Sequence, residues 1–348
     1  RSVSAPYTVP EKSEWKNGLK KIVCDGKGGA DLRFYGNEIC CGSYACLNAM
    51  QDPAIDLQLF EISTSTPFGI RHFENEHFDR LLTTYCDPNR GMDRALRLWG
   101  YDAETIRTGT AEEAVQEIRR WIRPAFPVIV GPIDMGKLGY QIMPVLLKRM
   151  DHYILLEYYS DNEAYCTDSE GFYQYRLSYE ELRAYLSADA VPEADGCITV
   201  RQIRKKREYK LEDVLEQSLS YAADNLRAAE ETGAGSWAIR NCCTYLKQHK
   251  EYKWRLPLLY DIQYLKQRKL LMELLIKLLE EHGRYPGGQA GEIRQIVNTQ
   301  NELLEKLYGN LQKGRGIDEG SFEQMAQLES RLSDEYLFKK ALPEWKNQ

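Results

Sequence analysis

Apolar positions divide the chain into two halves of different rhythm. Up to about residue 205, short apolar runs alternate with turn residues; beyond it, apolar positions recur at helical spacing. In the first half, Ala45, Leu47, Ala49 and Met50 are good helix formers that follow a polar, Gly-broken stretch. Leu57 to Ile62 shows a partial alternation and predicts a strand ending near Ser65. Pro67 to Ile70 reads as a turn and the start of a second strand. Met92 to Trp99 predicts a short helix stopped by Gly100. Thr110-Ala111-Glu112-Glu113 is a capping box, opening a helix whose apolar face carries Ile118, Trp121 and Ile122. Phe126 to Gly131 is a compact apolar run, predicted as a buried strand, with a Gly-containing loop at Asp134 to Gly139 beyond it. His152 to Tyr159 and Ala164 to Asp168 read as a hairpin about the turn Ser160-Asp161-Asn162-Glu163. Ser178 and Glu181 form a second capping box, for a helix ending before Pro192, and Ile198 to Ile203 predicts a closing strand.

The second half reads as helices only: Lys210 to Thr232, Ser236 to His249, Leu256 to His282, Glu292 to Leu311 and Ser321 to Leu337. A Gly/Pro break separates the third from the fourth, at Gly283 to Gly291. The expected fold is therefore α+β over residues 1–205, followed by an all-α helical bundle over 206–348. Arg1 to Gly28 is turn-rich, with Trp15 and Ile22-Val23 expected to pack onto the body.

The 348 residues, 43% hydrophobic and 28% charged, have an ordinary globular balance. A net charge of −6 gives no support to a general nucleic-acid-binding role. No apolar run has the length of a membrane span, and polar Arg1 to Trp15 gives the expectation of no signal peptide. Nine cysteines are an odd number, two pairs of them are adjacent (Cys40-Cys41 and Cys242-Cys243), and no CxxC spacing occurs. Reduced thiols in a cytoplasmic protein, with no structural zinc site, is the expectation. Arg201 to Lys210 carries six basic residues against Glu208 alone. That run is either a solvated linker face or a docking surface for an acidic partner.

Cys41 falls in the first turn predicted for its helix. The positive end of a helix dipole favours a thiolate, and the free N–H groups of that turn can face a developing oxyanion. The bland alternative is a helix start whose small cysteines simply pack. A Cys nucleophile needs a base, and the base needs a partner. Of five histidines, His249 and His282 lie at charged helix ends. His72 and His77, with Glu74 and Glu76 beside them, have a spacing compatible with a metal site. A catalytic metal needs three placed ligands, however, and a solvated loop is the expectation there. His152 differs because it starts an apolar strand, where an imidazole needs a task or a satisfied bond. Asp168 closes the partner strand of the same hairpin, within cross-strand reach of His152. A turn aspartate in Thr167 to Gly171 is the alternative for that residue.

The order Cys41-Gly42 at a helix start, Pro127 to Gly131, His152 and Asp168 resembles papain-like cysteine enzymes of the bacteriocin-processing peptidase type. More closely, it resembles the acyltransferase family of butirosin biosynthesis (protein H type), in which a papain-like domain precedes a helical part. The resemblance covers about residues 30 to 205; the helical half agrees in layout. It implies Cys41 as nucleophile, His152 as base and Asp168 as orienter. An upstream amide often completes the oxyanion hole in such families, and Asn37 is the nearest candidate, since the expected glutamine is absent. The neighbouring Cys40 leaves open which sulfur attacks; Cys41 is favoured because Gly42 follows it. Asp134 is a candidate contact for a substrate amine, or simply turn chemistry.

The implied activity is acyl transfer in specialised-metabolite, antibiotic-type biosynthesis. The donor would be an acyl or aminoacyl thioester on the phosphopantetheine arm of a carrier protein, the acceptor a small-molecule amine, with no bound cofactor or metal. Arg201 to Lys210 would dock the acidic carrier. Two other readings stay open: a cysteine hydrolase, peptidase or thioesterase, with the same three residues, and a non-catalytic binding module.

Overall fold

A computed structural model describes residues 40–334, apart from 75–79, 125, 142–146, 187–190, 192–195, 250–251 and 286. The expectations for Trp15, Ile22-Val23, Asn37 and His77 lie outside the described residues. The fold is mixed α/β. Its elements run α1 (Cys41–Met50), α2 (Leu57–Thr64), β1 (Ile70–His72), β2 (Leu82–Thr84), α3 (Pro88–Leu98), β3 (Tyr101–Thr108), α4 (Ala111–Trp121) and β4 (Val128–Asp134). They continue with β5 (Asp151–Tyr158), β6 (Glu163–Asp168), β7 (Phe172–Ser178), α5 (Tyr179–Tyr185) and β8 (Ile198–Lys205). Five helices follow: α6 (Leu211–Glu231), α7 (Ser236–Gln248), α8 (Arg255–Glu281), α9 (Gly287–Gln312) and α10 (Glu319–Ser333).

Six strands form one sheet in the order β3-β8-β4-β5-β6-β7, and every neighbouring pair is antiparallel. Both faces of its middle are covered. Tyr153 and Leu155 of β5 and Ile129 of β4 pack with α1 and α3, through Tyr44, Leu47, Leu96 and Trp99. Ile154, Leu156, Val128 and Val130 pack on the other face against Ile118 of α4 and Leu182 of α5. Successive side chains of a strand point to opposite faces, so a doubly covered strand reads as an unbroken apolar run. That is the signature of Tyr153 to Leu156. The capping boxes at Thr110/Glu113 and Ser178/Glu181 are both formed.

Three local expectations are corrected. Leu57 to Thr64 is a helix, not a strand. Asp56 accepts the Leu59 N–H and caps it, and Phe60 and Ile62 are buried on different clusters, so a strand-like alternation arose from a helix packed on two sides. The break predicted at Gly283 to Gly291 is shorter, because α9 already starts at Gly287. His72 is a strand residue rather than part of a solvated loop. Its Nδ1–H donates to the Leu81 carbonyl at 2.7 Å, and its ring meets Tyr245 edge-on at 5.6 Å.

The helical half does not stand apart. Ile70, Leu81 and Leu82 of the β1–β2 hairpin share one apolar cluster with α7, α8, α9 and α10. Ile62 and Phe68 share another with α6, α8 and α9. Apolar packing therefore crosses the expected boundary at 205/206.

Candidate active site

α1 begins at Cys41, and Cys40 flanks it without a side-chain cap. The Tyr44 N–H closes the first turn on the Cys40 carbonyl at 3.0 Å. Helix geometry leaves the N–H groups of Cys41, Gly42 and Ser43 without intrahelical acceptors. Gly42 is needed for close approach here. A Cβ on it would stand 2.9 Å from Met92 Sδ and 3.5 Å from the Tyr153 ring. The helix therefore comes down directly onto the start of β5, and Cys41 Sγ lies 3.9 Å from the Asp151 carbonyl oxygen.

His152 is the second residue of β5 and is buried. Its Nε2–H donates to Asp168 Oδ1 at 2.8 Å. The hairpin register pairs Leu155 with Thr167, which brings the start of β5 and the end of β6 side by side. Nε2 is committed to the carboxylate; Cys41 contributes to the field at the imidazole, while its own sulfur lies 3.9 Å from the backbone carbonyl oxygen of Asp151. Cys40 lines the same cavity and contributes to the field at Arg268, which also lines it.

Asp168 is fully buried and heavily solvated by the protein. Besides His152 it accepts the Tyr140 hydroxyl at 2.7 Å, Gln141 Nε2 at 3.3 Å and the Glu170 N–H at 2.9 Å. Burial by itself would raise its pKa. The His152 charge and hydrogen bond, helped by Glu170 and Tyr140, hold it below the usual carboxylate value. For His152, burial by itself would lower the pKa. The Asp168 charge and hydrogen bond overcome that, Cys41 adds to them, and the imidazole is held well above its ordinary value. Tyr140 and Gln141 carry no sequence signal for this task. They follow β4 and reach Asp168 only through the tertiary fold.

A cavity of ≈ 100 Å³ opens beside these groups. Cys41, His152 and Glu170 line one side. Tyr260, Tyr264 and Arg268, spaced four residues apart on one face of α8, line another. The helical half thus supplies a wall of the site, which no local pattern in that half announced. Hydroxyls of Ser43, Thr64, Thr66, Thr83 and Thr84 complete a polar lining. Below it, buried Glu61 accepts from Ser43 and Arg268 and, at 3.1 Å, from Thr66.

The other sequence candidates lie apart. Asp134 is buried, but its Oδ1 accepts the Gly136 and Arg149 N–H groups at 2.9 and 2.8 Å, which ties the loop after β4. It is not among the residues lining the cavity. Asn37 lies outside the described residues. The basic run is mostly engaged within the fold. Arg201 is fully buried on β8 and pairs with Asp93 at 3.0 Å; Lys205 reaches Asp52 and Glu208, and Lys206 reaches Asp102. Among the described residues no group of three His, Cys, Asp or Glu side chains could hold a metal ion. No helix of the described residues is long and apolar enough to cross a membrane.

The fold and the site define a mixed α/β protein in which a helix-start cysteine and a strand histidine line a polar cavity and a hairpin aspartate bonds the histidine. No protein-family model matches the chain. It is similar to the uncharacterized protein YobF of Bacillus subtilis (strain 168), 29% identical over 197 residues, or 55% of this chain and 62% of that one. The chain thus matches less than two thirds of that relative's length.

Proposed function

We propose that the protein is a cysteine-dependent acyltransferase with a papain-like arrangement. It would move an acyl or aminoacyl group from a thioester, carried on the phosphopantetheine arm of a carrier protein, to a small-molecule amine in specialised-metabolite biosynthesis. The observation that carries this reading is the 2.8 Å His152–Asp168 bond, with Cys41 lining the same cavity as that imidazole.

In the first step the Cys41 sulfur attacks the thioester carbonyl carbon. The new C–S bond forms as the old one breaks, and His152 passes a proton to the departing thiolate. The N–H groups at the start of α1 stabilise the oxyanion. In the second step the amine attacks the acyl-Cys41 carbonyl, gives its proton to His152, and Cys41 leaves as the thiol it began as. Asp168 keeps the imidazole oriented and stabilises its charged form. A cytoplasmic setting, where carrier proteins and reduced thiols coexist, fits this chemistry.

Intact-protein mass spectrometry with an acyl-N-acetylcysteamine thioester tests the reading. The expected result is an acyl adduct on the wild type, none on Cys41→Ala, and amide product once an amine is added. Free acid alone, with or without amine, would replace transfer by hydrolysis. Absence of any adduct would leave a binding module.

A further inference from the structure

Three guanidinium groups line the cavity, and two are already neutralised. Arg80 Nε donates to Asp261 Oδ1 at 2.7 Å, and Arg268 pairs with Glu61. Arg71 is the third. It sits at the centre of β1, opposite Thr83 of β2, which lines the same cavity. Its guanidinium stacks on the Phe73 ring at 4.4 Å, and its Nε is buried with no acceptor. No carboxylate of the described residues pairs with it. A buried donor without an acceptor is costly to leave unmet, and a guanidinium fork matches the two oxygens of a carboxylate or phosphate. Glu61 and Asp261 cannot serve it, because each is committed to another arginine.

We infer that Arg71 binds an anionic oxygen group of the substrate, a carboxylate on the transferred acyl group or a phosphate of its donor arm. The inference deepens the acyl-transfer reading and rests on it for the identity of the reacting group, but the anion is testable by itself. The stacked Phe73 ring holds the fork in place, so the charge does not have to be ordered when the substrate arrives.

Calorimetric titration of the full chain with succinate, inorganic phosphate and neutral succinamide tests the inference. One of the two anions binds the wild type, and succinamide does not. Arg71→Gln weakens that anion at least tenfold, Arg71→Lys recovers part of the loss, and Lys277→Gln, on the exposed face of α8, changes nothing. Preference for succinate assigns a carboxylate on the acyl group; preference for phosphate assigns the donor arm. Wild-type affinity in Arg71→Gln, or no binding of either anion, overturns the assignment. If Arg71→Gln does not fold, protection of wild-type Cys41 from iodoacetamide by the anions, and not by succinamide, decides the matter. Should Cys41 accept no acyl group while anion binding holds, the acyl-transfer reading falls and the Arg71 assignment stands.

Discussion

His152 and Asp168 titrate as a unit, because each is buried and each holds the other's charged form. The sign of the resulting pH dependence follows. His152 is raised on folding, so its contribution is full below the ordinary histidine pKa of about 6.5 and is lost as pH rises through the folded value. Asp168 is lowered, so its contribution is present above about 3.9 and is lost as pH falls through the folded value. The pair therefore stabilises the fold most at weakly acidic pH, between about 3.9 and 6.5. Urea unfolding of the wild type and Asp168→Asn should show their largest separation there, with the gap closing toward alkaline pH. If the two reactions of Cys41 proceed as proposed, Asp168→Asn also lowers the acylation rate by about 10³- to 10⁴-fold, by releasing the imidazole from its tautomer. Gly131 makes a second prediction at this scale. A Cβ there would stand 2.5 Å from Tyr153 Cδ1 and 2.6 Å from the His152 carbonyl oxygen. Gly131→Ala must push β5 aside at the histidine. We expect a lower thermal midpoint and slower alkylation or acylation of Cys41 than in a Gly288→Ala control, where nothing stands within 4 Å.

Among elements, the β1–β2 hairpin depends on a helix that follows it by some 180 residues. Asp261 of α8 accepts the N–H groups of Leu81 and Leu82 at 2.7 and 2.9 Å and the Arg80 guanidinium at 2.7 Å. All of these groups are buried. Asp261→Ala removes the nearest counter-charge of buried Arg80, leaving it Asp151 at 4.0 Å, and leaves two backbone donors unmet. Breaking such a buried pair costs about 3–5 kcal/mol, read as a drop in the denaturant midpoint with an unchanged slope. Because the same hairpin carries Arg71 and Thr83, the variant should also lose anion binding in proportion. Within the six-stranded sheet, the two strands that the apolar pattern did not announce, β3 and β7, are its two edges. Tyr101 to Thr108 and Phe172 to Ser178 expose much of their length and carry charged or polar residues there. Edge strands need such residues to avoid pairing with other chains, and the same residues blur the alternation that reveals a strand.

For the molecule as a whole, the helices are not an appendage to a self-sufficient sheet domain. Phe68, Ile70, Leu81 and Leu82 are buried against α6 to α10, and the cavity takes Tyr260, Tyr264 and Arg268 from α8. A chain cut after residue 205 would expose those apolar side chains to water and open one wall of the cavity. It should show no cooperative unfolding transition in calorimetry, whereas the full chain should unfold in one. Two independent transitions in the full chain, the first matching the cut chain, would mean that the halves fold separately.

Local chemistry along the chain was enough to specify most elements. Caps at Thr110 and Ser178, the unbroken apolar runs of β4 and β5, and helical stripes from residue 211 onward act over a few residues and can be read in order. The hairpin even brought His152 and Asp168 together, because cross-strand register is a short-range property. Everything that depended on remote packing was decided elsewhere. Leu57 to Thr64 became a helix because its apolar residues are divided between two cores. Asp134 turned inward to its own loop, Arg201 to Asp93, and α8 to the cavity beside Cys41. Apart from Asp134, whose partners lie in its own loop, those outcomes hang on which surfaces meet across more than a hundred residues, and burial free energy over such distances leaves no period in the linear order.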